Sequence, residues 1–187
     1  MTDVDTLVRH VYESNAIEQI NVSSGDPLFK RHLLAAKAVE SKARQSILMT
    51  PLEIHSILLP ELAGYRTCDV YVGPRIMPPH AAIPELMEEW LRAYDRWFNM
   101  IPSNPPIYWK RWIEGEAFHL NDWLLCIHPF EDGNGRTARL IMNSFRRCAK
   151  QSWYIIYVGD RTSYYHHIRH FEDKVFATWH PPHVWKY

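Results

Sequence analysis

The chain has 187 residues, 47% of them hydrophobic, which suits one domain, or one domain with an added arm, with a sizeable core. Lys plus Arg and Asp plus Glu both number 21, so no overall field draws the chain to nucleic acid. No apolar run is long enough to span a membrane, and the charged N-terminus lacks a signal-peptide core. Cys68, Cys126 and Cys148 have no metal-ligand spacing and sit in apolar segments, which points to reduced, buried thiols in a cytoplasmic protein.

In chain order, residues 3–18 predict an amphipathic helix with Val4, Leu7, Val8, Val11 and Tyr12 on one face. Asn21 to Pro27 is a polar turn, and residues 28–46 resume helical spacing through Leu33, Leu34, Ala38 and Val39. Thr50-Pro51 starts a helix that runs to Leu59, with Thr50 as its N-cap. Gly64 to Pro79 differs in kind. Tyr65, Val70, Tyr71, Val72 and Ile76 flank Gly73-Pro74, which predicts a short hairpin, and Pro78-Pro79 ends it.

Residues 83–100 form the next helix, with Leu86, Met87, Trp90, Leu91 and Tyr94 on one side. After a turn over 102–106, residues 107–127 carry Ile113, Ala117, Leu120, Leu124 and Ile127 at helical spacing. Gly135 to Lys150 is another helix, and Trp153 to Val158 reads as one extended segment. Asp160 then caps a helix from Arg161 to about Ala177, and His180-Pro181-Pro182-His183 is irregular. The reading is mainly helical with one hairpin.

The stretch His128-Pro129-Phe130-Glu131-Asp132-Gly133-Asn134-Gly135-Arg136-Thr137-Ala138-Arg139 carries the chemistry. It joins a base, a carboxylate able to bind metal, two glycines, an asparagine and two arginines. Those groups can hold a triphosphate while a proton leaves an attacking group. Pro129 forces His128 out of helical geometry, so the preceding helix ends there. Gly133 and Gly135 permit positive backbone angles that aim successive N–H groups into one concavity. The helical spacing that follows puts that concavity at a helix N-terminus, where N–H groups and the helix dipole favour an anion.

Those residues resemble the Fic motif, HxFx(D/E)GNGRxxR, at every defined position. Phe118-His119, Asp160-Arg161 with Tyr164-Tyr165, and Gly64-Tyr65-Arg66 through Pro84-Glu85-Leu86-Met87 resemble the motif's usual surroundings. The resemblance implies an all-α, Fic-like helical bundle with a small β-hairpin flap. It implies transfer of AMP from ATP to a Ser, Thr or Tyr hydroxyl of a target protein. His128 would be the general base, and an ordinary imidazole pKa of about 6.5 suits that task. Asp132 would hold magnesium. Phe130 and Glu131 would belong to the nucleotide-binding loop, with Phe130 as its core anchor. Gly133, Asn134 and Gly135 would line the anion nest, and Arg136 and Arg139 would bind the outer phosphates. Tyr164 and Tyr165 would contact nucleotide. The flap, about residues 65–79, would pair with an extended piece of the target.

A second element resembles the family's inhibitory helix, (S/T)xxxE(G/N): Ser14-Asn15-Ala16-Ile17-Glu18 matches, while Gln19 stands where Gly or Asn is expected. Ser14 and Glu18 lie four apart and share a helix face. Glu18 would occupy the guanidinium of Arg139 and displace the γ-phosphate. This divides the chain into an inhibitory helix and turn over 1–24 and a Fic domain over 25–187.

Blander readings stand beside these. Asp132 could cap the following helix, Arg136 and Arg139 could be helix-face charges, and Tyr164 and Tyr165 could be packing aromatics. His119 reads as a satisfied buried histidine. His166, His167, His170, His180 and His183 lack partners at ligand spacing. Removal of AMP, transfer of another nucleotide, and a non-catalytic nucleotide-binding module remain as alternative functions. A homodimer that gates the inhibitory helix is compatible with the sequence.

Overall fold

The computed structural model describes residues 3–179. The helices are α1 (Val4–Ile17), α2 (Pro27–Arg44), α3 (Pro51–Leu58), α4 (Ile83–Met100), α5 (Trp109–Ile127), α6 (Asn134–Cys148) and α7 (Arg161–Trp179). The only sheet among the described residues is a hairpin of β1 (Tyr71–Val72) and β2 (Arg75–Ile76), with Tyr71 opposite Ile76 and Val72 opposite Arg75. The fold is therefore the all-α bundle with a small hairpin that the sequence predicts. Among the described residues no helix is long and apolar enough to cross a membrane.

Local chemistry sets most boundaries. Asp3 caps α1 by accepting from Thr6 N–H at 2.6 Å, and Asp26 caps α2 from Leu28 N–H at 2.8 Å. At α3, Thr50 and Glu53 form a reciprocal capping box with Pro51 in the first turn. That helix stops at Leu58, and a 3-10 turn over Pro60–Leu62 follows. Asp160 closes a 3-10 turn that leads directly into α7.

Helix α6 sits in the middle of the bundle and packs on α1, α2, α3 and α5. Its Ala138, Leu140, Ile141, Met142 and Phe145 join Ile113, Ala117, Leu120 and Leu124 of α5 in one core. α6 is buried on nearly every side, so its polar residues need internal partners. Asn143 supplies one set: Nδ2 donates to Tyr154 O at 3.0 Å, and Oδ1 accepts from Tyr154 N–H at 2.7 Å. These bonds hold residues 153–157, which form no regular element and pair with no strand; Val158, the last residue of the expected extended segment, begins a 3-10 turn instead.

Two expectations change. The buried face of α1 is Leu7, His10, Val11, Ser14, Asn15 and Ile17, whereas Val4 and Tyr12 are exposed. A helix that docks polar groups against α6 does not show them in an apolar pattern. Cys126 and Cys148 are buried as expected, but Cys68 is exposed in the segment leading to the hairpin. His119 packs edge-on to Trp97 and Phe171, and burial lowers its pKa. His167 pairs with Asp122 at 2.8 Å, and no group of three or more His, Cys, Asp and Glu among the described residues could hold a metal ion. His180 and His183 lie outside the described residues.

Candidate active site

The loop between α5 and α6 is the centre of the site. His128 terminates α5 in the left-handed region, at φ 52° and ψ 58°, while its N–H still donates to Leu124 O at 2.9 Å. Its Nδ1 lies 3.3 Å from Leu125 O. A carbonyl only accepts, so Nδ1 carries the proton and Nε2 keeps its lone pair. Burial pushes the imidazole pKa down to about 4; the Leu125 contact raises it and the nearby Arg66 cation lowers it further. His128 is therefore neutral across the physiological range, well below the ordinary value expected from sequence.

Phe130 is fully buried and stacks on His55 of α3, with ring centroids 3.8 Å apart and planes 4° from parallel. His55 Nε2 also donates to Asp132 O at 3.0 Å. Asn134 closes the loop from the other side: Oδ1 accepts from Phe130 N–H at 3.0 Å, and Nδ2 donates to Phe130 O at 2.8 Å. Its side chain thus staples the loop, leaving its backbone at the helix N-terminus. A lone histidine in a helix carries no spacing signal, so the sequence alone does not reveal His55.

The two glycines serve different purposes. Gly133 has φ 74° and precedes the first turn of α6, and a Cβ there would lie 2.8 Å from Leu59 Cδ1. Gly135 is helical, contrary to the expected positive angle. It is small because a Cβ would collide with Glu18 Oε1 and lie 2.9 Å from Arg139 Nη1.

That collision locates Glu18. Its carboxylate lies against the first turn of α6, 2.6 Å from Arg139 Nη2 and 3.2 Å from Arg136 Nε. Arg139 also donates to Ser14, from Nε to Oγ and from Nη2 to the carbonyl, each at 2.7 Å. Burial alone would weaken the Arg139 charge, but Glu18 and the nearby Tyr164 together offset it and leave the pKa raised. Arg136 is buried; its Nη2 donates to Asp132 Oδ2 at 2.9 Å, and its Nη1 has no hydrogen-bond partner among the described residues. Asp132 Oδ1 accepts from Gly133 N–H at 2.5 Å, and its side chain is 62% exposed.

A cavity of about 190 Å³ opens beside this cluster, bordered by Glu18, His128, Glu131, Asp132, Gly135 and Tyr165. Arg75 and Val72 of the hairpin form another wall, and Arg75 pairs with Glu172 of α7. Tyr165 faces the cavity. Tyr164 is buried behind it, donating from Oη to Asn121 Oδ1 at 3.1 Å. The structure thus gathers Glu18, His128, Asp132, Arg136, Arg139 and Tyr165 into one place, and sets Tyr164 in the core.

A helical bundle that closes a hairpin over a His-Pro-Phe-Glu-Asp-Gly-Asn-Gly-Arg loop has the architecture of Fic-domain proteins. The chain belongs to the Fic/DOC family, whose model matches residues 50–145. It is 32% identical over 193 residues to the protein adenylyltransferase Fic of Nematostella vectensis, covering 88% of this chain and 43% of that protein. It is 32% identical over 146 residues to the protein of the same name from Drosophila melanogaster, covering 73% of this chain and 27% of that one. The chain thus spans less than half the length of these curated relatives. A Fic domain-containing signaling protein from Bacteroides thetaiotaomicron shares the fold, with TM-score 0.71 and 19% identity over 89% of this chain and 72% of that one. Fic-1 from C. elegans does too, with TM-score 0.66 and 22% identity over 90% of this chain and 56% of that one.

Proposed function

We propose that the protein is an adenylyltransferase that moves AMP from ATP onto a side-chain hydroxyl of a target protein, and that α1 restrains it. The observation that carries this reading is the seat of Glu18. Its carboxylate lies at a helix N-terminus between two buried guanidinium groups, the environment an anionic phosphate seeks. Curated relatives named protein adenylyltransferase support ATP as donor.

In this reading His128 Nε2 takes the proton from the hydroxyl as its oxygen bonds to the α-phosphorus, the bond from the α-phosphorus to the bridging oxygen breaks, and pyrophosphate leaves. Arg136, Arg139 and the first turn of α6 hold the outer phosphates, and Tyr165 flanks the nucleotide. Asp132 is the group that would hold magnesium. One exposed carboxylate at the cavity edge fits that ion, because phosphate oxygens and water complete its shell. Magnesium there would neutralise phosphate charge. The hairpin offers a short exposed edge for an extended segment of the target, which would bring its hydroxyl toward the cavity. Residues 1–24 act as the restraining unit: Glu18 competes for the γ-phosphate position, and small misplacements of the α-phosphorus cost large rate factors.

The test uses wild type, Glu18→Gly and Glu18→Gly/His128→Ala with magnesium and α-labelled ATP. Protein-bound label is expected to rise in Glu18→Gly and vanish in the double variant. Equal label in wild type and Glu18→Gly would refute the restraint, and label in the double variant would refute the base. Glu18 also borders the cavity it shares with His128, which supports AMP removal as a second reading. Glu18→Gly would then gain transfer and lose hydrolysis of a modified target.

A further inference from the structure

Arg66 occupies an unusual position for a charged residue. It is 3% exposed, and its nearest carboxylate oxygen, on the exposed Asp69, is 3.9 Å away. Its other partners are backbone carbonyls. Nε donates to His128 O at 2.7 Å, and Nη1 donates to Cys68 O at 2.8 Å. Nη2 donates to Pro78 O, and the Arg66 backbone N–H donates to Pro129 O at 2.9 Å.

These partners come from three segments. Cys68 and Pro78 lie on the two arms that lead into and out of the hairpin, while His128 and Pro129 belong to the motif loop. A buried guanidinium is costly unless its donors are used, so it draws the three segments into one plane around it. The planar fork sets the directions of all three bonds, which a lysine ammonium cannot do.

We propose that Arg66 is a positioning residue that locks the flap arms to the motif loop, and so sets where a hydroxyl carried on the flap meets His128. The base and the flap belong to different parts of the chain. Arg66 touches the carbonyl of the base residue and both arms of the flap, so it fixes their separation directly. It touches none of the groups that surround the phosphate position, which belong to α6 and α1. Its effect therefore falls on alignment of the acceptor, and nucleotide affinity is left to Arg136 and Arg139.

The kinetic half of this inference rests on the transfer reading above; the structural half does not. The proteins are Glu18→Gly as parent, with Arg66→Lys and Arg66→Met added to it. Amide exchange is followed in residues 67–79 and 128–133, with the α5–α6 core as internal reference. Both substitutions are expected to speed exchange in these two segments roughly tenfold or more, leaving the core unchanged. Should Arg66→Met lose its fold, Arg66→Lys carries the measurement. Unchanged exchange in the folded variants would overturn the lock.

Transfer of labelled AMP is then measured against ATP concentration. A loss of roughly 30–100-fold in kcat is expected for Arg66→Lys, with KM for ATP within about twofold of the parent. A KM that rises with kcat unchanged would overturn the positioning role. If the Glu18→Gly parent transfers no label, the adenylyltransferase reading fails, and the exchange measurement alone decides whether Arg66 couples flap and loop.

Discussion

Ser14 presents two oxygens to Arg139, its hydroxyl to Nε and its carbonyl to Nη2, each at 2.7 Å. Glu18 therefore binds a guanidinium whose orientation Ser14 already sets. Ser14→Ala would leave Nε buried without that acceptor, a loss of about 1–3 kcal/mol. Thermal unfolding should show it directly, at about 2–4 °C for each kcal/mol in a chain of this size. An unchanged melting temperature would mean that the serine hydroxyl adds nothing to the Arg139 seat.

Glu18→Gln keeps the shape of the side chain and removes its charge. Two buried arginines then lack their shared anion, which should lower the stability of the ligand-free protein by about 2 kcal/mol, allowing for partial exposure of the pair. Magnesium-ATP should restore more melting temperature to this variant than to wild type, because phosphate no longer competes with a carboxylate. The two readouts move in opposite directions. An ATP-induced rise in melting temperature no larger than that of wild type would count against competition for one anion site.

Gln19 sits just past α1 at φ 61°, with its N–H donating to Ala16 O at 2.9 Å and the Ile20 N–H to Asn15 O at 3.0 Å. That is a Schellman closure with glutamine in the left-handed position glycine prefers. Gln19→Gly should stabilise the protein by about 1 kcal/mol and hold Glu18 more firmly. The melting temperature should rise and residual transfer by the otherwise wild-type chain should fall. A lower melting temperature would show that the glutamine side chain compensates for its backbone strain.

His10 and His32 are buried side by side near Arg139, with ring centroids 5.7 Å apart. Burial pushes His10 down to about 3 and His32 well below its ordinary value, with the Arg139 cation adding to both. Both are neutral when folded and gain protons on unfolding at mildly acid pH. Their contribution is complete above about pH 6.5 and is lost as pH falls below it, at about 1.4 kcal/mol per unit for each histidine. Urea midpoints between pH 7.5 and 5 should fall accordingly. His10→Gln/His32→Gln should flatten that slope; an equally steep profile in the double variant would reassign it.

The helices were legible because caps and apolar spacing are local: Thr50 with Glu53, and Ile113 through Leu124, act within a few residues of one another. The motif loop was legible as a dense string of special residue types. The sequence does not reveal His55 and Arg66 in these roles, because each is a single polar residue whose partner in the motif loop lies 77 or 62 positions away. The sequence suggests a positive backbone angle at Gly135, whereas the need for a missing Cβ comes from Glu18 at the end of another helix. Gln19 read as a departure from pattern, yet its backbone takes the conformation the pattern calls for.

Helix α1 brings Leu7, Val11 and Ile17 into the same core as α6, and Arg161 Nε donates to Ile17 O at 2.8 Å. Each such side chain is worth about 1.5–3 kcal/mol when buried. Truncating the chain before residue 25 would therefore yield a damaged bundle rather than an unleashed one. In the proposed restraint, control would act at the scale of one carboxylate and its terminal turn, with the rest of the helix staying in place.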